Sequence, residues 1–417
     1  MHFPTAPQLL ATLVGQESHT QQGQVAIAEQ IADFARQWDL GDVRVEHFPP
    51  EVKFSGEEPI LRNIVIEAGS GTEEIIVYHG HFDTVPPSGY LPSDHPLQLT
   101  QDPHNNDIFH GLGSFDMKAG VVAILMSLYK MRTADHRKIR AILVAGEENQ
   151  SEGTHAALQK GHNSFDKARG VISTEIPVLP EDAPYPMLII GRPGRIGLRL
   201  TIEGVVMHAG NVTRHEIQHL LSERIANALH AIPHIHLSEH PNDYDHLMSQ
   251  SMCVPTAINT QCMGALSVAG KGSIDIAIHY TNPTLSVAEI MEMVRRHLDP
   301  VLQNSYELSF KLEQEPGRQL PFTQPWLESP HHPFIQKIRA IQQDHVSTIS
   351  PHTVPLYAGR GVADEGVIVH QQNIPAVCIP PHGGGEHTRN EHVHLSSITG
   401  NVVPTLRAIA SYDGSLF

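Results

Sequence analysis

His81 and Asp83 stand one residue apart in 76-IVYHGHFDTVPP-87, where an apolar run ends and a double proline closes the segment. That spacing sets an imidazole and a carboxylate on one side of a strand end, as a metal site requires; a buried histidine satisfied by a local aspartate is the plainer alternative. More groups of the same kind follow: Asp116 in 111-GLGSFDMK-118, Glu147 and Glu148 in 146-GEEN-149, Glu175 after 170-GVIST-174, and His387 in 382-HGGGEHTRNEH-392. Each alone has an ordinary explanation. Paired glutamates are common on solvated surfaces, an aspartate ahead of a helix is often its N-cap, and His387 is one of 30 histidines.

What must position these groups is an α/β scaffold. Residues 24–37 read as an amphipathic helix, strand-like runs follow at 63–68, 74–79, 139–145 and 170–174, and 116–132 has the length and apolar content of a buried helix. This alternation predicts a largely parallel sheet, in which functional groups gather beyond the carboxyl ends of strands. His81 with Asp83, Glu147 with Glu148, and Glu175 each follow a strand-like run. Asp116 opens the buried helix, and the 382–392 loop follows the strand-like 375–380. Their joint placement at such mouths is hard to assign to chance.

Beyond 191-GRPGRIG-197 the character changes. Alternating strands at 196–204, 273–281 and 306–313 are interleaved with helices near 217–232 and 286–303, the pattern of a compact α+β block. After the proline-rich 316–326, helix 332–344 and the strand at 375–380 resume the first pattern. The expected organisation is therefore a first domain in two parts, 1–192 and 315–417, with a second domain inserted at 193–314 and hinges near 191–195 and 314–318. A chain of 417 residues favours two domains on length alone.

Composition narrows the chemistry. The three cysteines, Cys253, Cys262 and Cys378, show no CxxC spacing, so any metal must be bound through nitrogen and oxygen. Two histidines with several carboxylates suit a pair of divalent ions, zinc first, with cobalt or manganese as alternatives. A bridging carboxylate would hold the ions about 3.5–4 Å apart, close enough to share one water and lower its pKa. Of Glu147 and Glu148, one can bind metal while its neighbour faces that water as a base, because adjacent residues at a strand end diverge. The formal net charge of −17 argues against nucleic acid or an anionic membrane as partner. No apolar run of signal-peptide or membrane-span length is found, so the expected setting is the cytoplasm.

Assembled in order, the motifs GHFDTVP (80–86), GLGSFDMKAG (111–120), AGEEN (145–149), STEIP (173–177), the 191–210 stretch and EHTRNEHV (386–393) resemble a known family. It is the dinuclear zinc peptidase and amidohydrolase family of acetylornithine deacetylase, succinyl-diaminopimelate desuccinylase, aminoacylase and glutamate carboxypeptidase. The resemblance implies a catalytic domain with a mostly parallel sheet and an inserted ferredoxin-like lid and dimerisation domain. It makes His81 a ligand of one ion and His387 of the other, with Asp116 bridging and Glu148 and Glu175 each completing one ion. Glu147 becomes the general base, Asp83 the carboxylate standing behind the His81 imidazole, and His208 in 204-GVVMHAG-210 the group that supports the tetrahedral intermediate. The implied reaction is hydrolysis of an amide or peptide bond in an N-acyl amino acid or short peptide, by a homodimer joined through the insert.

The lid segment departs from the family. Ser267 stands near an expected Asn, and His279 where Arg is usual in 263-MGALSVAGKGSIDIAIHYT-281. Arg389, Arg360, Arg192 and Lys271 are the candidates for gripping a substrate carboxylate in place of that clamp. Two rival readings stand beside hydrolysis of an amide. One is a catalytically silent metal- or ligand-binding module, which would have no need of a base at Glu147. The other is cleavage of an ester or phosphoester, for which the Glu-rich site supplies few basic groups.

Overall fold

The computed structural model describes residues 3–49, 60–70, 74–91, 94–148, 151–159, 161–162, 164–180, 182–237, 250–261, 267–303, 306–310, 322–346 and 353–417. The hinge expected at 314–318, Cys262 and part of the 263–281 lid segment lie outside them. The chain divides into two compact units, one of residues 1–191 with 327–417 and one of residues 192–326. Among the described residues no helix is long and apolar enough to cross a membrane.

The first unit is built on an eight-stranded sheet. Its strands are β1 (Asp42–Phe48), β2 (Leu61–Ala68), β3 (Ile75–His81), β4 (Ile139–Val144), β5 (Ala168–Ser173), β6 (Leu188–Ile189), β7 (Leu356–Tyr357) and β8 (Ala376–Cys378), in the order β1-β2-β4-β3-β5-β8-β6-β7. The middle strands β4, β3, β5 and β8 run parallel. β3 and β4 are buried along their whole length. This is why IIVY (75–78) and AILV (141–144) read as continuous apolar runs rather than alternating ones.

One edge departs from the parallel pattern, since β2 is antiparallel to both β1 and β4. A parallel crossover takes a dozen or more residues. Only residues 69–74 join β2 to β3, so these two strands flank β4 and run in opposite directions.

The Lys118–Met131 helix, KAGVVAILMSLYKM, is buried on nearly every side, as a helix apolar all round must be. It packs against the Val403–Ser411 helix. Gly120 lets it close on the end of β5: a Cβ there would stand 2.4 Å from the Thr174 carbonyl oxygen. A small antiparallel sheet joins Gly383–Gly384, His392–His394, Ile108–His110 and Thr100–Gln101 in that order. It sets the loop between the first two strands beside the 111–117 segment that follows Ile108–His110.

Among its described residues the second unit is an antiparallel sheet with two α-helices, Leu221–Ala231 and Val287–Leu302. Its strands follow the order Met252–Gln261, Lys271–Tyr280, Gly194–Glu203, Tyr306–Phe310, and Phe322–Thr323 also pairs with Gly194–Glu203. Ile196, Leu198, Leu200 and Ile202 alternate into the core, as do Ile274, Ile276 and Ile278. The Val287–Leu302 helix answers them with Ile290, Val294, Leu298 and Leu302 at four-residue spacing, and its start carries a Ser286/Glu289 capping box.

Candidate metal centre

The parallel strands deliver their side chains to one place. His81 is the last residue of β3, Glu147 and Glu148 follow β4 after Ala145 and Gly146, and Glu175 stands two residues beyond β5. His81 Nε2 lies 3.2 Å from Glu175 Oε2, 3.3 Å from Asp116 Oδ1 and 3.9 Å from Glu147 Oε2. The second Asp116 oxygen, Oδ2, lies 3.1 Å from His387 Nε2, which is also 3.3 Å from Glu148 Oε1. One carboxylate thus stands between two imidazoles, and each imidazole has a further carboxylate of its own.

Asp116 is no helix cap. Met117 is the N-cap residue and its side chain makes no capping bond, while the Asp116 carboxylate faces the two histidines. The role of Asp83 is also richer than the i, i+2 spacing indicates. His81 Nδ1 donates to the Asp83 carbonyl at 3.1 Å, and the Asp83 carboxylate stands at 3.5 Å. That carboxylate accepts the amides of Glu147 and Glu148, both at 3.1 Å. Asp83 therefore fixes the His81 ring through its backbone and the Glu147–Glu148 turn through its side chain. With Nδ1 donating, Nε2 is the atom left to meet a cation.

The donor set fits a pair of divalent cations. His81 Nε2 and Glu148 Oε1 are buried and make no hydrogen bond, an expensive arrangement for polar atoms unless a ligand completes it. His81, Asp116 and Glu148 offer ligand atoms that lie within 4.8 Å of one another. Nitrogen and carboxylate oxygen together suit zinc, manganese or cobalt.

Electrostatics at the centre follow from burial and crowding. Burial pulls His81 down, but Glu175, Asp116 and Asp83 outweigh it and hold its pKa well above the ordinary value. His387 is pushed up to about 11 by the Asp116 and Glu148 carboxylates that stand beside its Nε2. Burial raises Glu175 to about 7 against the pull of His81. Burial also raises Glu147 well above a normal glutamate, with Asp364, Glu175 and Glu148 adding to it and His81 opposing. Asp116 moves the other way: burial would raise it, yet His387 and His81 hold it low. Without cations, protons therefore stand in for them, and bound cations would displace these protons.

The other candidates fall in both units, Arg360 and Arg389 in the first and the rest in the second. His208, in the second unit, is exposed, with Nδ1 accepting the Gly210 amide at 3.1 Å and its backbone bridged to Ser267. His279 pairs with Arg195 across two strands, and burial followed by the Arg195 charge lowers its pKa. Arg389, Arg360 and Lys271 are exposed, whereas Arg192 is buried at 1% exposure. Beside the ligand-bearing segments lies a small slot of mixed character, walled by Phe115, Val178, Leu179 and Met187 together with His382 and Glu386.

Several supports of the site carry no signal in the sequence. Glu391 accepts three amides of the 113–116 loop. Ser173 Oγ accepts the Glu175 amide at 3.0 Å, and the Cys378 thiol donates to the Glu175 carbonyl at 2.9 Å. Glu391 falls within 386-EHTRNEHV-393, but its partners are remote in sequence and no local spacing marks it.

The model of peptidase family M20/M25/M40 matches residues 77–409. A probable succinyl-diaminopimelate desuccinylase of Staphylococcus aureus (strain MRSA252) is 32% identical over 117 residues, covering 27% of this chain and 27% of that relative's length. Two solved structures share the fold over almost the whole chain. Human carnosine dipeptidase 1 superposes with a TM-score of 0.69 at 17% identity, covering 97% of this chain and 96% of the other. The M20 family metallo-carboxypeptidase Sso-CP2 of Sulfolobus solfataricus gives 0.70 at 14%, covering 98% and 99%.

Proposed function

The chain belongs to peptidase family M20/M25/M40, and from that membership we propose that it hydrolyses an amide or peptide bond in a small substrate, an N-acyl amino acid or short peptide. Two divalent cations would be held by His81, Glu175 and Asp116 on one side and by His387, Glu148 and Asp116 on the other. The observation that carries the reading is the placement of Asp116, whose two oxygens face the two imidazoles at 3.3 and 3.1 Å with Glu147 beside them.

When bound, such a cation pair supplies charge that polarises a carbonyl and lowers the pKa of a water. The chain's own residues supply the rest. Glu147, its backbone fixed by Asp83, is the group to take a proton at its carboxylate and return it to the departing amine. Its side chain is only 13% exposed, so bulk water competes little for that proton. Asp83 holds the His81 ring so that Nε2 would be the atom to hold a cation. His208 supports the developing oxyanion in this proposal, as the resemblance implies.

Zinc as the physiological cation, a homodimer formed through the insert, the insert's action as a lid, and a cytoplasmic setting belong to the same proposal. Zinc has the support of the nitrogen and oxygen donors. A dimer has the support of exposed Met252, Val254 and Ile258 on the outer strand of the second unit. Arg389 and Arg360, both exposed in the first unit, are the side chains proposed to meet a substrate carboxylate. A silent binding module is the weaker reading, because it leaves Glu147 without a purpose. The proposal is tested by stripping metal with a chelator and following hydrolysis of N-acetyl and N-succinyl amino acids and dipeptides. Activity should vanish and return on adding zinc, cobalt or manganese; activity indifferent to chelation would overturn it.

A further inference from the structure

Glu391 is buried, at 1% exposure, and both of its carboxylate oxygens are engaged. Oε2 accepts the Gly113 amide at 2.9 Å, while Oε1 accepts those of Phe115 at 2.9 Å and Asp116 at 3.0 Å. Its own carbonyl accepts the Gly111 amide at 3.4 Å. Every one of these partners lies in the segment that carries Asp116. Glu391 itself belongs to the loop that carries His387, held in a tight turn by Thr388 N to Gly385 O at 3.1 Å and Glu391 N to Thr388 O at 3.2 Å. Gly385 and His387 both take left-handed backbone, with φ of 72 and 60 degrees. For His387 that conformation is uncommon and needs surroundings that hold it.

The two halves of the metal centre are supported differently. His81 ends a central strand whose ladder still pairs it with Val144, and Glu175 is tied at its amide and its carbonyl by Ser173 and Cys378. His387 has no strand under it and its side chain is 51% exposed. The small antiparallel sheet holds the two ends of this loop, and the carboxylate of Glu391 ties it to the amides of residues 113–116 themselves. On the two-cation reading above, we propose that Glu391 is a positioning residue chiefly for the cation held by His387, Glu148 and Asp116; the His81 side shares Asp116 but keeps His81 and Glu175, whose supports come from elsewhere.

A carboxylate suits this task because three amides converge on two oxygens, and it offers only acceptors. Glutamine in its place would keep the shape but turn an NH2 donor toward amide donors. The proposal therefore separates two properties that a purely structural role would move together. The test is a stepwise titration of metal-free protein with cobalt, read by visible absorption and by metal analysis after gel filtration, on wild type, E391Q and E391D. Wild type should take two ions. E391Q should keep one with near-native affinity and bind the other about 10–100-fold more weakly, the usual range for loss of a group that orients a ligand. Two ions bound by E391Q as tightly as by wild type, or both weakened alike, would overturn the inference while leaving the two-cation reading intact. A wild type that takes fewer than two would instead sink that reading. E391D keeps the charge on a shorter stem, and it carries the same two outcomes if E391Q does not fold.

Discussion

Asp116 meets His387 at 3.1 Å through the carboxylate oxygen that it does not turn toward His81. Both oxygens are thus committed, and replacing one by an amide nitrogen sets a donor against an imidazole. D116N should lose bound metal, from two ions to one or none, and hydrolysis should fall by more than the roughly 10–100-fold typical of a supporting group. Metal analysis on the purified variant checks the first and initial rates the second. Two ions retained would show that Asp116 does not bridge.

The protons held by the metal-free site give a pH dependence of definite sign. His387 is raised from 6.5 to about 11 by Asp116 and Glu148. It therefore stabilises the metal-free fold fully below its unfolded pKa, and that contribution fades as pH climbs toward about 11. A cation must displace this proton, so metal affinity should increase with pH across the neutral range. Calorimetric titration with zinc at pH 7.5 in two buffers of different ionisation enthalpy should give different heats, equivalent to release of at least one proton. Equal heats would show that His387 is not protonated in the metal-free protein.

Asp83 has no exposed surface and accepts the amides of both Glu147 and Glu148. D83A leaves those two donors without acceptors, at a cost of about 1–3 kcal/mol each if they stay buried. Thermal unfolding should shift down in the metal-free protein, and zinc affinity should drop by about 10–100-fold as the His81 ring and the Glu147–Glu148 turn loosen. An unchanged zinc affinity would confine Asp83 to a purely structural role.

In the second unit, Ile276 and Leu298 are fully buried in one core. I276A should cost about 2–5 kcal/mol of that unit's stability. All five candidate ligands belong to the first unit, so bound metal should remain at two ions. Scanning calorimetry with metal analysis reads both; loss of metal alongside stability would show that the centre depends on the insert's packing.

The central strands and the site's positions were legible because β3 and β4 are buried on both faces and announce themselves as apolar runs ending in His81 and Gly146-Glu147-Glu148. The direction of β2 was not, because an apolar run carries no sign of its partner; only the short 69–74 connection hints at it. The candidate ligands could be read because each sits at an element's end, where an acid or imidazole breaks an apolar pattern. Glu391 could not, since its meaning lies in amides of residues 113–116. Asp83 is legible as a partner of His81, but its grip on two backbone amides after β4 depends on strand order. A sequence shows which groups end each strand and hides which strands lie side by side.

The most direct measurement is hydrolysis of a panel of N-acetyl and N-succinyl amino acids, dipeptides and tripeptides by zinc-loaded wild type beside E147Q. The expected result is turnover by wild type on at least one class, a fall of about 10²–10⁴-fold in E147Q, and two bound ions in both proteins. A wild type that is inert on every substrate despite full metal loading, or an E147Q that turns over as fast as wild type, would contradict Glu147-dependent hydrolysis at this centre.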